Sequence, residues 1–250
     1  MTITLEQMYE MQKQLDARII KEKGLEGQDF LPNTVFALQV EIGELGNEWR
    51  GFKHWSTRQE PLMYPLETCS YCGEEVSYTR PSPFIADAGA DMCEHCWDMT
   101  KKEYAASNGE YIPDFKDYPH FPEKKPQKLL EEYADCLHFF LSIAVQKGWL
   151  EHLYLYEEAI EEARENGLDG GIGGAILEVI YWLSKWYMEK KEIPNIKENL
   201  GYSTEVFYFR NAWFVFMAVG MIGFEFTWEQ IAEAYAAKNA VNHERQASGY

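Results

Sequence analysis

Two short acidic motifs carry the first chemical signal in this chain. Glu41-Ile42-Gly43-Glu44 lies inside ALQVEIGELGNEWRGFKHW, and Glu132-Tyr133-Ala134-Asp135 lies inside LLEEYADCLHFFLSIA. Each motif holds two acids three residues apart. On a helix such positions share a face at about 5–6 Å, so each motif aims two carboxylates in one direction, and each is embedded in an apolar run. If the two helices pack face to face, four carboxylates converge. Several carboxylates cannot all stay ionised at close range. A hard divalent cation with all-oxygen ligands, Mg²⁺ or Mn²⁺, is the usual remedy. Either pair alone would read as the solvated face of an amphipathic helix. Two such pairs, both flanked by core-type residues, favour a shared metal site.

The cysteines make a second constellation. Cys69-Ser70-Tyr71-Cys72 and Cys93-Glu94-His95-Cys96 are two CxxC knuckles separated by 20 residues, with Gly73 as a turn glycine after the first. This spacing reads as a Cys₄ structural zinc site, with one Zn²⁺ per chain. Four thiolates fill a tetrahedral shell and leave no position for substrate. Two disulfides or two redox motifs are the alternatives, and disulfides are disfavoured in a cytosolic chain. The fifth cysteine, Cys136, lies within the second acidic helix and reads as a small core residue.

The elements that must position these groups are mostly helices. Leu5, Met8, Met11, Leu15, Ile19 and Ile20 recur at helical spacing, which predicts a helix from Thr4 to Lys23. Pro32 opens a second, to about Phe52. Further helices are expected over 127–147, 150–166, 174–191, 204–224 and 227–246, the last capped by Thr227 with Glu229-Gln230. Gly167 to Gly174 lacks the Lys-Ser/Thr of a phosphate loop and follows no strand, so it reads as a helix–helix turn. Residues 56–126 differ in character: they hold eight of the ten prolines, four cysteines and short β-like runs at Glu75–Thr79 and Pro83–Ala86. The expected organisation is a helical core of residues 1–55 and 127–250, interrupted by a small zinc-stapled module at 56–126.

Composition narrows the function classes. The formal net charge is -18, from 41 acidic and 23 basic side chains. That argues against non-specific binding to nucleic acid or to an anionic membrane surface, though metal ions can still mediate contact with a small polyphosphate. MTITLEQMYEMQ does not read as a signal peptide. The most apolar stretch, Ala212 to Phe224, reads as too short to span a bilayer. A soluble cytoplasmic protein is the expectation. Against this acidic background, Lys238, Asn242 and Arg245, spaced i, i+4, i+7, align two cations and an amide on one face of the last helix. A phosphate role and a cationic helix C-terminus favoured by its dipole both account for the stripe. Arg50 and Lys53, just past the first acidic motif, are similarly placed.

These strings carry a resemblance. EIGELGNEW…FKHW, EEYADCLHFFLS and AYAAKNAVNHERQASGY are similar to the dimeric all-α dUTPase family, within the all-α NTP pyrophosphatase superfamily that includes MazG-like enzymes and dCTPases. The terminal K-x-x-x-N-x-x-R-Q-x-x-G-Y, present here from Lys238 to Tyr250, resembles the dUTPase branch, and Gln12-Lys13-Gln14-Leu15-Asp16 resembles the segment that supplies uracil contacts. The likeness covers about residues 1–55 and 127–250 and leaves out the cysteine module. It departs from the family in two respects. The two acidic motifs are set unusually far apart, and position 16 is Asp where some members have Asn.

The resemblance implies a homodimer that hydrolyses dUTP to dUMP and pyrophosphate. It implies two or three Mg²⁺ held by Glu41, Glu44, Glu132 and Asp135, with Glu48 as a spare acid. Glu41, or Glu44, would take a proton from the attacking water. Lys53, Lys238 and Arg245 would clamp phosphates, Asn242 would hold sugar or phosphate, Tyr250 would close over the nucleotide, and Gln12 and Asp16 would read the base. A pyrophosphohydrolase for dCTP or a modified pyrimidine triphosphate keeps the same mechanism. A zinc-ribbon binding protein on a degenerate helical core is the alternative from another class.

Overall fold

The computed structural model describes residues 2–83, 89–108, 112–117 and 121–248. In chain order its helices are α1 (Leu5–Glu22), α2 (Leu31–Trp49), α3 (Glu94–Asn108), α4 (Gln127–Lys147), α5 (Glu157–Asn166), α6 (Gly171–Met188), α7 (Pro194–Leu200), α8 (Thr204–Ala218) and α9 (Trp228–Ala247). Four two-residue strands lie between α2 and α3: β1 (Glu67–Thr68), β2 (Glu75–Val76), β3 (Arg80–Pro81) and β4 (Asp91–Met92). The chain divides into two compact units, Met1–Gln59 with Leu129–Tyr250, and Glu60–Lys128.

The larger unit is all helix. Capping boxes start α1 and α9: the Thr4 and Thr227 hydroxyls accept from the amides of Gln7 and Gln230, whose side chains accept from the cap amides in return. Ser203 caps α8 by accepting from the Val206 amide. Packing pairs α1 with α9, α2 with α6, and α6 with α8. Buried residues of α4 run almost around it, including Tyr133, Cys136, Leu137, Phe140, Leu141 and Ala144. Such a helix is covered on most sides. Phe140 lies against Phe209, Trp213 and Phe216 of α8 with ring centroids 6.1, 5.6 and 4.7 Å away.

Several expected boundaries move. The helix expected over 150–166 is divided into a 3₁₀ turn at Leu150–Leu153 and α5. Side chains of α8 take the carbonyls that a continuous helix would have used. Arg210 donates to His152 O and Tyr154 O, and Trp213 Nε1 donates to Leu153 O at 2.7 Å. The helix α7 was not expected, and neither was α3. The run Glu75–Thr79 is a strand only at Glu75–Val76, and Phe84 to Ala86 of the second β-like run lie outside the described residues. The apolar stretch is longer than expected: Thr204–Gly223 is long and apolar enough to cross a bilayer by length and composition. Over half of it, 56%, is buried inside the protein, where it forms the core with α4.

The helix α8 ends in a π-helical turn, Val219–Gly223. That turn brings Gly220 against Tyr133, whose ring stacks on Phe216 with centroids 4.4 Å apart and whose hydroxyl donates to Phe216 O. A Cβ at position 220 would fall 2.4 Å from the tyrosine ring and hydroxyl. Only glycine permits this approach, and Tyr133 lies between Glu132 and Asp135 in sequence.

The smaller unit has its own core of Met92, Trp97, Ile112 and Phe115, with Tyr78 and Phe121 packed on it. Two hairpins frame it: β1 pairs with β2, with Glu67 opposite Val76, and β3 with β4, with Arg80 opposite Met92. Arg80 spreads its guanidinium 3.6 Å over the Phe121 ring. The Lys124 ammonium is buried but fully engaged, donating to Pro65 O, Glu67 Oε1 and Ser77 O. A backbone bridge between Tyr64 and Lys125 ties the unit's ends together.

Overpacking a filled core costs about 1–3 kcal/mol. Gly220→Ala is therefore expected to lower stability by that amount in urea unfolding. Gly43→Ala, which meets no atom within 4 Å and sits mid-helix, should be neutral or slightly stabilising.

Candidate active site

The acidic motifs come together as the helical spacing predicts, but three acids converge rather than four. One carboxylate oxygen from each of Glu41, Glu132 and Asp135 lies within 4.8 Å of the others. On α2, Ile42 and Leu45 are buried, and on α4, Tyr133, Ala134 and Cys136 are buried. Those apolar anchors hold the three acids at the edge of the core, where each is half-buried. Glu44 stands outside this group and is exposed, although its charge still acts on Glu41 and Glu132. Glu48 acts weakly on Glu132.

Crowding changes the acids. Burial, then the charges of Asp135, Glu44 and Glu132, raise the Glu41 carboxyl to about 7, with Lys238 pulling the other way. Glu132 is raised by burial and by the charges of Asp135 and Glu44. Asp135 is raised by burial even though Lys238 ion-pairs with it. The Lys238 ammonium sits 2.5 Å from Asp135 Oδ2. In a metal-free protein this lysine supplies part of the positive charge that three close carboxylates require. The oxygen donors fit a hard cation such as Mg²⁺.

The other expected residues fall into distinct settings. Asn242 is half-buried and Arg245 exposed on the α9 face that carries Lys238, and the Arg245 charge reaches Asp135. Lys53 lies over the Phe52 ring at 5.5 Å. Arg50 is committed to the following loop, donating to Arg58 O and Ser56 Oγ. Tyr250 and Gly249 lie outside the described residues. Gln12 is buried and turned inward. Its Nε2 donates to Asp16 Oδ1 at 2.8 Å, while its Oε1 sits 2.7 Å from His138 Nδ1 and accepts from the Tyr235 hydroxyl at 3.1 Å. Burial depresses His138 to about 3, so it is neutral and stacks on Tyr235 with centroids 4.2 Å apart.

His138, Ser142, Tyr235 and Asn239 are polar groups of this region that sequence reasoning passed over. A signal existed: His138 follows Asp135 by three residues and Ser142 follows His138 by four, so all three share a face of α4.

The four knuckle cysteines also converge, with sulfurs within 4.8 Å of one another. Cys69 and Cys72 flank the turn between β1 and β2, where Gly73 has φ +74°. Cys93 follows β4, and Cys96 sits in the first turn of α3. All five cysteines are free thiols, so the disulfide alternative is not realised. Burial would raise Cys69, but the amides of Cys72, Cys93 and Tyr71 outweigh it and bring the thiol down to about 6. This cluster can hold a metal ion such as zinc.

A family model described as dUTPase matches residues 4–66 and 107–250. The chain belongs to the dUTPase family. The match passes over residues 67–106, which contain all four knuckle cysteines, so the metal-binding thiols lie outside the family's shared portion. No curated protein matches the chain. Family membership assigns a nucleotide pyrophosphatase acting on a small-molecule nucleotide.

The titration of Glu41 makes a pH dependence. Its folded pKa lies above the ordinary carboxylate value of 4.5, at about 7. The native state therefore holds a proton that the unfolded chain releases. The stability this contributes is fully present below 4.5 and lost as pH rises through about 7. In EDTA, denaturant-derived stability should fall between pH 5 and 8, and Glu41→Gln should flatten that fall. Mg²⁺ should raise Tm more at pH 8 than at pH 5.5, because protons compete for the same oxygens.

Proposed function

We propose that this protein hydrolyses dUTP to dUMP and pyrophosphate. The observation that carries the reading is the convergence of Glu41, Glu132 and Asp135 beside Lys238 in a dUTPase-family chain. In the proposed reaction a water oxygen attacks the α-phosphorus. The bond from that phosphorus to the bridging oxygen breaks, and pyrophosphate leaves with the bond's electrons. Two or three Mg²⁺, held by Glu41, Glu132, Asp135 and Glu44, would acidify the water and neutralise the phosphate oxygens.

The chain's own groups do the rest. Glu41, whose proton affinity burial and neighbouring charges raise, accepts the water's proton. Lys238 moves its contact from Asp135 to a phosphate oxygen, exchanging one anion for another. Arg245 spans two phosphate oxygens, which its planar fork does better than lysine. Lys53 and Asn242 complete the grip on phosphate and sugar, Asp16 faces the base with Gln12 holding it from behind, and Tyr250 closes the end of the site. The catalytic core is residues 1–55 with 127–250, and 56–126 is an inserted module that binds one structural Zn²⁺ through Cys69, Cys72, Cys93 and Cys96. The family likeness extends the proposal to a homodimer working in the cytoplasm.

A nucleotide panel assayed with and without Mg²⁺ tests the reading directly. Turnover of dUTP should require Mg²⁺, and Glu41→Gln or Asp135→Asn should reduce kcat by orders of magnitude while the fold survives. Near wild-type hydrolysis by either variant would sink the shared metal site. Arg245→Ala should cost roughly 2–4 kcal/mol in transition-state stabilisation, the scale for a lost desolvated charge contact, with little change in Tm.

The zinc assignment has its own measurement. Elemental analysis should find one Zn²⁺ per chain, lost in Cys69→Ser, and hydrolysis should still require added Mg²⁺ because a full thiolate shell leaves no open position. Four freely titrating thiols in native, zinc-free protein would reject it.

A further inference from the structure

The four knuckle cysteines meet solvent unequally. Cys72 is exposed and Cys96 half-buried, whereas Cys69 and Cys93 are only 1% and 4% exposed. Cys69 is also enclosed by donors: the amides of Tyr71, Cys72 and Cys93 face its sulfur, the last at 3.3 Å. The Cys93 sulfur accepts from the Cys96 amide at 3.5 Å. The Cys72 sulfur faces another sulfur, that of Cys93, 3.9 Å away.

The backbone presents Cys72 at the tip of a hairpin. Residues 70–75 are all exposed, and a Cβ added at Gly73 would meet nothing within 4 Å. Glu74 and Glu75 follow directly. Their charges repel an anionic reagent and leave an uncharged one unhindered. A small neutral oxidant therefore reaches Cys72 before any other sulfur of the cluster.

The partner sulfur is already in place. Cys72 lies in the turn between β1 and β2, and Cys93 follows β4, so the pair crosses from one hairpin to the other. The two segments are tied beside the sulfurs. The Ser70 amide donates to Asp91 O at 2.7 Å, and the Asp91 amide donates to Ser70 Oγ at 3.0 Å. With that pairing kept, the sulfurs need only close from 3.9 Å to a disulfide bond of about 2.05 Å. The core of Met92, Trp97, Ile112 and Phe115 and the three oxygen partners of Lys124 need not change.

We infer that Cys72 and Cys93 form a peroxide-reactive pair, whose disulfide expels the metal and replaces it as the staple of the smaller unit. This rests on the proposed zinc site for the identity of the metal. Bound zinc would keep all four sulfurs as thiolates, the form that reacts with oxidants. In the first step the Cys72 thiolate attacks one oxygen of hydrogen peroxide. The O–O bond breaks, hydroxide leaves, and Cys72 becomes a sulfenic acid on protonation. In the second step the Cys93 thiolate attacks the Cys72 sulfur. The S–S bond forms, the S–O bond breaks, and a second hydroxide leaves. Two thiolates have then lost two electrons in all, and one peroxide has gained them. Only Cys69 and Cys96 remain as ligands, two of the four that a structural zinc site needs. A dithiol reductant reverses the exchange by attacking the disulfide.

The experiment uses the full-length native protein, with its zinc content measured before oxidant is added. Hydrogen peroxide is then titrated in the presence of a chromogenic zinc chelator. One zinc per chain should be released per peroxide consumed, and dithiothreitol with added Zn²⁺ should restore it. Peptide mapping without reductant should find Cys72 joined to Cys93. Dimedone, which captures sulfenic acids, should label Cys72 first. Hydrogen exchange across Met92–Trp97 should stay protected in the oxidised protein, because the disulfide takes over the staple. The inference is overturned if zinc stays bound while peroxide is consumed, or if the disulfide forms within one knuckle. It is equally overturned if dimedone labels a different cysteine first, or if Met92–Trp97 loses protection on oxidation. Protein that carries no zinc at the outset rejects the zinc assignment instead, and the disulfide and dimedone maps then decide the reactive pair by themselves.

Discussion

Like-charge repulsion at one place governs the rest of this protein. Three carboxylate oxygens within 4.8 Å at the edge of an apolar core are unstable as three anions, and raised pKa values for all three are the expected response. A protein can hold such a group only if rigid packing behind it resists the repulsion and positive charge in front relieves it. Buried aromatic and aliphatic side chains of α2 and α4 supply the first. Lys238, and any cation the oxygens take up, supply the second. The cluster is thus a store of electrostatic strain that a bound divalent ion would release, and metal binding there would be coupled to stability.

Rigidity behind the acids comes from an unusually aromatic interior. Tyr133, between the two α4 acids, is fully buried, stacks on Phe216 and leans on Gly220 in a π-helical turn. Such turns often accompany functional sites, and here the turn lets the backbone of one helix approach a tyrosine of another. A few residues further along α4, packing gives way to a polar network of His138, Gln12, Tyr235 and Asp16. Its low dielectric surroundings strengthen each satisfied bond and penalise each open one. One helix therefore carries the acidic cluster at one end and a buried polar network at the next, held in a single register.

The smaller unit solves a different problem. About seventy residues with strands of only two residues each cannot bury a large core. They rely on Met92, Trp97, Ile112 and Phe115, a buried Lys124 with three oxygen partners, and a four-thiol cluster. The family match omits most of this segment. A stapled insertion is tolerable in a helical scaffold because loop-closure entropy grows only slowly with length.

What the sequence determined by itself is whatever depends on short-range spacing. Acids three residues apart had to share a helix face, the Thr-x-x-Gln boxes had to start α1 and α9, and two CxxC knuckles had to bring four thiols together. Those relations are local, so periodicity and capping chemistry decide them. The K-x-x-x-N-x-x-R stripe was legible in the same way, as a face of α9. Only the tertiary structure decided which faces meet. It left Glu44 exposed outside the three-acid cluster, set Lys238 on Asp135, and turned Gln12 inward to a histidine 126 residues away. It broke the helix expected over 150–166, because Arg210 and Trp213 from α8 offered its carbonyls better partners. It also left Asp16 Oδ2 and Asn239 Nδ2 buried without a hydrogen-bond partner among the described residues. Each of these outcomes depends on contacts between residues far apart in the chain, and no local pattern records which distant partner will arrive.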